Sequence, residues 1–515
     1  MAYRFFLENL MMRQVIKPQL QFGQVDISKM QFCSKSRDDI PQILRGLQYI
    51  YITKPLREEI FALLEKYIAP QVSKNTGRPG MELWKILVMG VLRLDLNWDY
   101  DHLLCQVNHY DQIREMLGHS DAFDKHEYQL QTLKDNVSLL TPELLEKINE
   151  VVVKGGHDLV KKKEDEVLRG RCDSFVVETN VHYPTDINLL FDAMRKVVAL
   201  TAYLCERHKR TEWRQHKHHT RELKQCMRRV QQSRRRKKTN EVAEAKQERK
   251  ITRAYREYLS LAQSLLNKAQ ATYPELENLA TATTDLVTLE QITIFMNHAV
   301  RQMNQTERRV LKGEEIPHEE KVFSLFEPHT EWISKGKAGV PQELGLRVCI
   351  LEDQYQFILH HRVMEKETDD AVAIPMIEIS QKKFPTLKSV SFDKGFHSKN
   401  NQTELSKQLD LLAMPRKGKL SEAAKQHEHA EGFRKARKKH SAVESAIHAL
   451  EVHGLDRCPD RGIDGFKRYV ALAVVARNIQ RIGAILQKQA QRKLLKEKNK
   501  AKKYCASDGT FKLAA

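Results

Sequence analysis

The segment Ser389-Val390-Ser391-Phe392-Asp393-Lys394-Gly395-Phe396-His397-Ser398 constrains the fold more than any other part of this 515-residue chain. It reads as a buried strand that ends in an aspartate and turns at once through a glycine. A lone carboxylate at the end of a core strand is costly. The arrangement becomes sensible if a metal ion sits there with matching acids from elsewhere. Asp173 opens the β-branched run Asp173-Ser174-Phe175-Val176-Val177-Glu178-Thr179, and Glu444 lies between the apolar Val443 and Ile447. Magnesium prefers hard oxygen ligands and few protein contacts, so three carboxylates from separate elements suffice. Two such ions can clamp an in-line displacement at phosphorus.

Charge supports a polyanionic partner. The chain carries a net charge of +19, unevenly spread. Residues 206–250 hold 17 basic and 6 acidic residues, including Arg234-Arg235-Arg236-Lys237-Lys238, and residues 486–515 hold 9 basic and 2 acidic. Any single run reads most simply as a solvated helical face. The excess over the whole chain fits nucleic acid, and metal-dependent phosphodiester chemistry on it. No apolar run approaches a membrane span, and the first residues carry no h-region, so neither membrane insertion nor a secretory signal is expected. The eight cysteines show no C-x-x-C pair and read as reduced thiols of a cytoplasmic protein.

The periodicity divides the chain into an N-terminal extension (1–70) with a helix near Pro55–Ile68, then a helical block (71–155). In that block Leu83, Trp84, Leu87, Val88, Val91 and Leu92 recur at helical spacing, which suits a DNA-binding helix cluster and a plain packing domain equally. Strand signals cluster around the acids, at Asp173–Thr179, Glu331–Ser334, Leu346–Leu351, Tyr355–His361 and Lys388–Phe392, with Glu352-Asp353-Gln354 as a hairpin turn. Helices are expected at Asn400–Gln408, Lys439–Glu451 and Gly465–Gln489. The sum is an α/β core of a mixed sheet flanked by helices, in two parts (165–194 and 320–485), interrupted by a basic helical insertion (195–315) and followed by a basic tail (486–515).

Other residues compete for a role. Asp186 rivals Asp173 as first ligand but reads as part of a helix cap in Pro184-Thr185-Asp186. Glu178 and Glu352 read as structural or exposed. Lys335, Lys337, Lys394, His397 and Arg234, Arg235, Arg236 are candidate phosphate contacts. His216, His218 and His219 invite a metal site, yet in so basic a segment they read as a solvated or phosphate-facing patch.

Four pieces in order carry a family resemblance: Asp173 to Asp186, Thr330-Glu331-Trp332-Ile333-Ser334-Lys335-Gly336-Lys337, Asp393-Lys394-Gly395-Phe396-His397-Ser398 and His440-Ser441-Ala442-Val443-Glu444-Ser445. Together with Gly77-Arg78-Pro79 and its following helices, they resemble the DDE transposases of bacterial insertion sequences, closest to the ISNCY group. The resemblance implies an RNase H-like catalytic core with Asp173, Asp393 and Glu444 as the triad binding Mg²⁺ (or Mn²⁺). It also implies end recognition by the helices at 71–155, double-stranded DNA as transposon end and target, and a homodimer or larger assembly on nucleoid DNA. Relatives often carry an arginine four residues before the glutamate and a lysine seven after it. Here those positions hold His440 and Glu451. A catalytically inactive DNA-binding relative, a nuclease that cuts without joining, and a nucleic-acid packaging protein are the competing classes.

Overall fold

The β-branched runs extend into the centre of a mixed sheet, and the helical repeats wrap it. A computed structural model describes residues 11–16, 20, 24–33, 35–70, 78–119, 125–234, 241–334 and 342–507. The chain divides into two compact units, one formed by residues 1–180 with 333–515, the other by residues 181–332.

In the first unit, β1 (Leu168–Thr179), β2 (Gln342–Glu352), β3 (Ile358–Met364), β4 (Leu387–Phe392) and β5 (Leu411–Ala413) lie side by side in the order β3-β2-β1-β4-β5. β2 is antiparallel to both β1 and β3, whereas β4 runs parallel to β1 and β5 parallel to β4. The short strands Glu331–Ser334 and Arg457–Cys458 complete a seven-stranded sheet. The five strand signals in the sequence are all present; Leu411–Ala413 and Arg457–Cys458 are too short for an alternating pattern to register.

The β2–β3 hairpin turns later than expected, and β3 begins at Ile358. The buried Asp353 is the reason. Its Oδ1 accepts the Tyr355 and Phe357 amides at 2.8 and 3.0 Å, and Gln356 takes a positive φ of 69°. The side chain therefore organises a wider turn.

The helical block at 71–155 is not a domain apart. Its helices Leu83–Asp95 and Pro142–Leu159, together with Asp39–Ile52, pack on the long C-terminal helix Gly462–Ser507 and share one continuous hydrophobic core with the sheet. Polar groups seal the junction. Asn478 donates to Asn149 Oδ1 at 2.7 Å and accepts the Ile358 amide at 2.9 Å. Two glycines set the helix spacing. A Cβ on Gly46 would lie 2.2 Å from the Ile479 carbonyl oxygen, and one on Gly483 would lie 1.9 Å from that of Gln42. This C-terminal helix is long and apolar enough to cross a membrane by composition, but 72% of its apolar window is buried inside the protein. It continues to Ser507, so residues 486–507 of the basic stretch extend a helix rather than forming a separate tail, and residues 508–515 lie outside the described residues.

The second unit, residues 181–332, is helical and begins earlier than the expected insertion at 195, because helix Asp186–Arg207 places Ile187, Leu190, Met194 and Val198 in its core. Helices His216–Arg234, Glu241–Leu279 and Thr283–Thr306 complete it, and Pro274 sits inside the third of the four. Trp213 anchors the packing by donating its indole N–H to Thr272 at 3.1 Å.

Candidate active site

Register places the first two acids side by side. In the parallel β1–β4 pair, Arg171 is the partner of Ser391 and Cys172 of Phe392. Asp173 and Asp393 are each the next residue. β4 ends at Phe392, and Arg457–Cys458 pairs with β1 only from Glu178 onward. Between those points the β4 side of β1 has no strand neighbour among the described residues, so the sheet opens there. Helix Ala442–Leu450 packs against β1 and carries Glu444 in its first turn.

Side chains alternate across a strand. Arg171 and Asp173 therefore share a face with Ser391, whose hydroxyl lies 3.1 Å from His440 Nδ1. Cys172 and Ser174 face the other way. There the Ser174 hydroxyl donates to Asp369 Oδ1 at 2.7 Å, in the first turn of helix Asp369–Lys383. Acids thus converge on the opening from both faces of the sheet.

Electrostatics report that convergence. Burial pushes the Asp173 carboxyl up to about 7; the Ser174 amide, donating at 2.8 Å, opposes the shift, and the charges of Asp393, Asp369 and Glu444 add to it. Burial lowers the His440 pKa, while Asp393 and Glu444 act in the opposite sense. Asp393 and Glu444 are exposed, so the opening faces solvent. The carboxylates are spaced more widely than 4.8 Å as a group; among the described residues only His218, His219 and Glu222 are gathered that closely. That trio is a surface ion-pair cluster, with Glu222 3.2 Å from His218 Nδ1 and 3.7 Å from His219 Nδ1.

The donor set fits a hard divalent cation: carboxylates from four elements, with Asp393 and Glu444 exposed and like charges acting on Asp173. His440 Nε2 is buried beside these acids and has no hydrogen-bond partner. Gly395 leaves a cradle, since a Cβ there would lie 3.1 Å from Asp369 Oδ2.

The remaining sequence candidates are dispersed. Asp186 pairs with Arg309 at 2.6 Å in the second unit, and Thr185, not Asp186, caps its helix by accepting the Asn188 amide. Glu178 pairs with Arg457 at 2.8 Å. Glu352 is structural, buried 3.0 Å from Arg171, and burial pushes its carboxyl up to about 7. Lys394 is exposed next to Asp393. His397 is half-buried, its pKa lowered by burial and by Arg416 and Lys417. Arg234 donates to the Tyr255 hydroxyl at 3.2 Å, while Lys335, Lys337, Arg235 and Arg236 lie outside the described residues, as does Gly77.

Two features escaped the sequence reading. Asp369 sits in a run of polar residues, Glu365 to Asp370, that looks like any helix start. Helix Glu431–His440, directly before Glu444, exposes Arg434, Lys435, Arg437, Lys438 and Lys439. Their density was a legible signal, hidden by reading one helix across residues 439–451.

The fold and site define an α/β protein with a mixed sheet and an acidic cluster where the sheet opens beside its central strand. No family model, curated protein or solved structure matches the chain.

Proposed function

We propose that this chain is a DDE-type transposase that binds the terminal inverted repeats of an insertion sequence, cleaves the ends and transfers them to target DNA. The observation that carries the reading is the convergence of Asp173, on β1, Asp393, directly after β4, and Glu444, on a helix, around the opening of the sheet. Three antiparallel strands followed by two parallel ones, flanked by helices, are compatible with an RNase H-like core.

Asp173, Asp393 and Glu444 would hold Mg²⁺ or Mn²⁺. Bound there, divalent cations activate an oxygen nucleophile and stabilise the leaving oxyanion. The protein's own groups do the rest. Exposed Arg434, Lys435, Arg437, Lys438 and Lys439, on the helix leading to Glu444, would engage backbone phosphates and set the scissile bond against the acids. His440, hydrogen-bonded to Ser391, stands where relatives carry an arginine and offers a shorter, uncharged group to the phosphate. Further phosphate contacts fall to Lys394 and the basic second unit, and two DNA ends would be held by at least a dimer.

The test uses labelled DNA carrying the sequences that flank the gene, incubated with Mg²⁺ and either the wild-type protein or Asp393→Asn. Nicking and joining by the wild type, lost in the variant with binding retained, supports the transposase. Nicking without joining points to a nuclease, binding without cleavage by either protein to an inactive relative, and equal cleavage by both defeats the site assignment.

A further inference from the structure

Asp369 is unusual for an acid in the first turn of a helix. Such residues commonly turn back to the free amides of their own helix. Here Thr368 occupies the cap position of helix Asp369–Lys383 without a side-chain hydrogen bond, and the Asp369 carboxylate reaches away from the helix. Oδ1 accepts the Ser174 hydroxyl at 2.7 Å, from the strand residue that follows Asp173. Oδ2 lies over Gly395, two residues after Asp393, where a Cβ would come within 3.1 Å of it. The carboxylate is therefore held between the two loci that supply the other strand acids.

The supporting turn is tied to the same helix. The Asn401 side-chain amide donates to the carbonyl oxygens of Asp370 at 2.7 Å and of Phe396 at 2.9 Å, so the helix start and the turn after β4 are fastened together. Asp369 approaches from the face of β1 that carries Ser174, opposite to the face occupied by His440. Its charge acts on both Cys172 and Asp173. A like charge fixed in that position adds to the repulsion on Asp173, which a cation at the opening of the sheet would relieve.

We infer that Asp369 is a fourth carboxylate of the cation centre, aimed by Ser174 and admitted by the missing side chain of Gly395. The assignment rests on the catalytic reading above and extends it: four carboxylates match the charge of two divalent cations, whereas three leave one cation under-neutralised. It also explains the glycine of the Asp-Lys-Gly turn, which has no positive φ and so is not required by backbone geometry. A Cβ there would instead press on the Asp369 carboxylate at 3.1 Å.

The experiment is Mn²⁺ titration of the full-length protein, followed by the loss of the free-ion electron paramagnetic resonance signal, for wild type, Asp369→Asn, Ser174→Ala and Asp393→Asn. The expected result is at least a tenfold weaker apparent affinity, or loss of one bound ion, in Asp369→Asn, with a smaller weakening in Ser174→Ala. Thermal melts without metal confirm that each variant is folded, and Ser174→Ala keeps the test decisive if Asp369→Asn is not. Wild-type binding by both Asp369→Asn and Ser174→Ala, with binding weakened in Asp393→Asn, overturns the fourth ligand and leaves the catalytic reading intact. Absence of Mn²⁺ binding by the wild type overturns both.

Discussion

Cys172 and Phe392 are register partners in adjacent parallel strands, and each is followed by an acid, Asp173 and Asp393. The sheet then opens, because β4 stops while β1 continues to Thr179. Two carboxylates reach one place through that single registration, and Glu444 comes over them on its helix. Replacing Glu444 with Gln should lower metal-dependent cleavage by about 10²–10³-fold, the range of a few kcal/mol of charge stabilisation. DNA affinity should change little. Single-turnover cleavage of an end substrate, beside a filter-binding curve, checks both halves.

The acidic cluster also predicts a pH-dependent response to magnesium. The Asp173 carboxyl, near 7 when folded, returns to about 3.9 when unfolded. The folded state thus binds a proton that the unfolded state lacks between those values. Its contribution is stabilising at low pH and is lost as pH rises through about 7. Mg²⁺ should raise the melting temperature more at about pH 8 than at about pH 5.5, and Asp173→Asn should flatten the difference. An equal rise at both pH values would contradict the assignment.

Helix Pro142–Leu159 is tied to the β2–β3 turn by His157, whose Nε2 lies 2.6 Å from Asp353 Oδ2, with both side chains buried. His157→Ala leaves a buried carboxylate without that partner and should cost about 3–5 kcal/mol. The midpoint of urea denaturation should fall accordingly. A decrease below about 1 kcal/mol would mean that water replaces the imidazole.

The crossing of helices Asp39–Ile52 and Gly462–Ser507 requires both glycines. Gly483→Ala would put a methyl 1.9 Å from the Gln42 carbonyl oxygen, forcing the backbones apart at a cost of about 1–3 kcal/mol or more. Gly432 offers the control, since a Cβ there would meet only Leu411 Cδ1, at an ordinary 3.6 Å. A lowered thermal midpoint for Gly483→Ala and Gly46→Ala, against an unchanged or slightly raised one for Gly432→Ala, is the expected pattern.

If the basic segments meet DNA, affinity should fall steeply with salt. Replacing Arg234, Arg235 and Arg236 together by alanine should reduce the log–log slope by up to about 2.7, at roughly 0.9 for each phosphate no longer neutralised. An unchanged slope would remove these residues from the interface.

The sequence by itself determined five of the seven strands and singled out Asp173, Asp393 and Glu444 as candidates. β-branched runs, the glycine after Asp393 and the apolar neighbours of Glu444 are local signals, and local signals survive in one dimension. The helical spacing of Leu83, Trp84, Leu87, Val88, Val91 and Leu92 likewise foretold a buried helix, and all six are buried. Tertiary structure decided the rest. Asp369 is 196 residues from Asp173 in the chain, and only the sheet and its flanking helix bring it to Ser174. The fusion of the N-terminal helices with the sheet depends on a helix that begins at Gly462. Such pairings are made by the burial of apolar faces and by strand register, which a periodic pattern requires without specifying the partner.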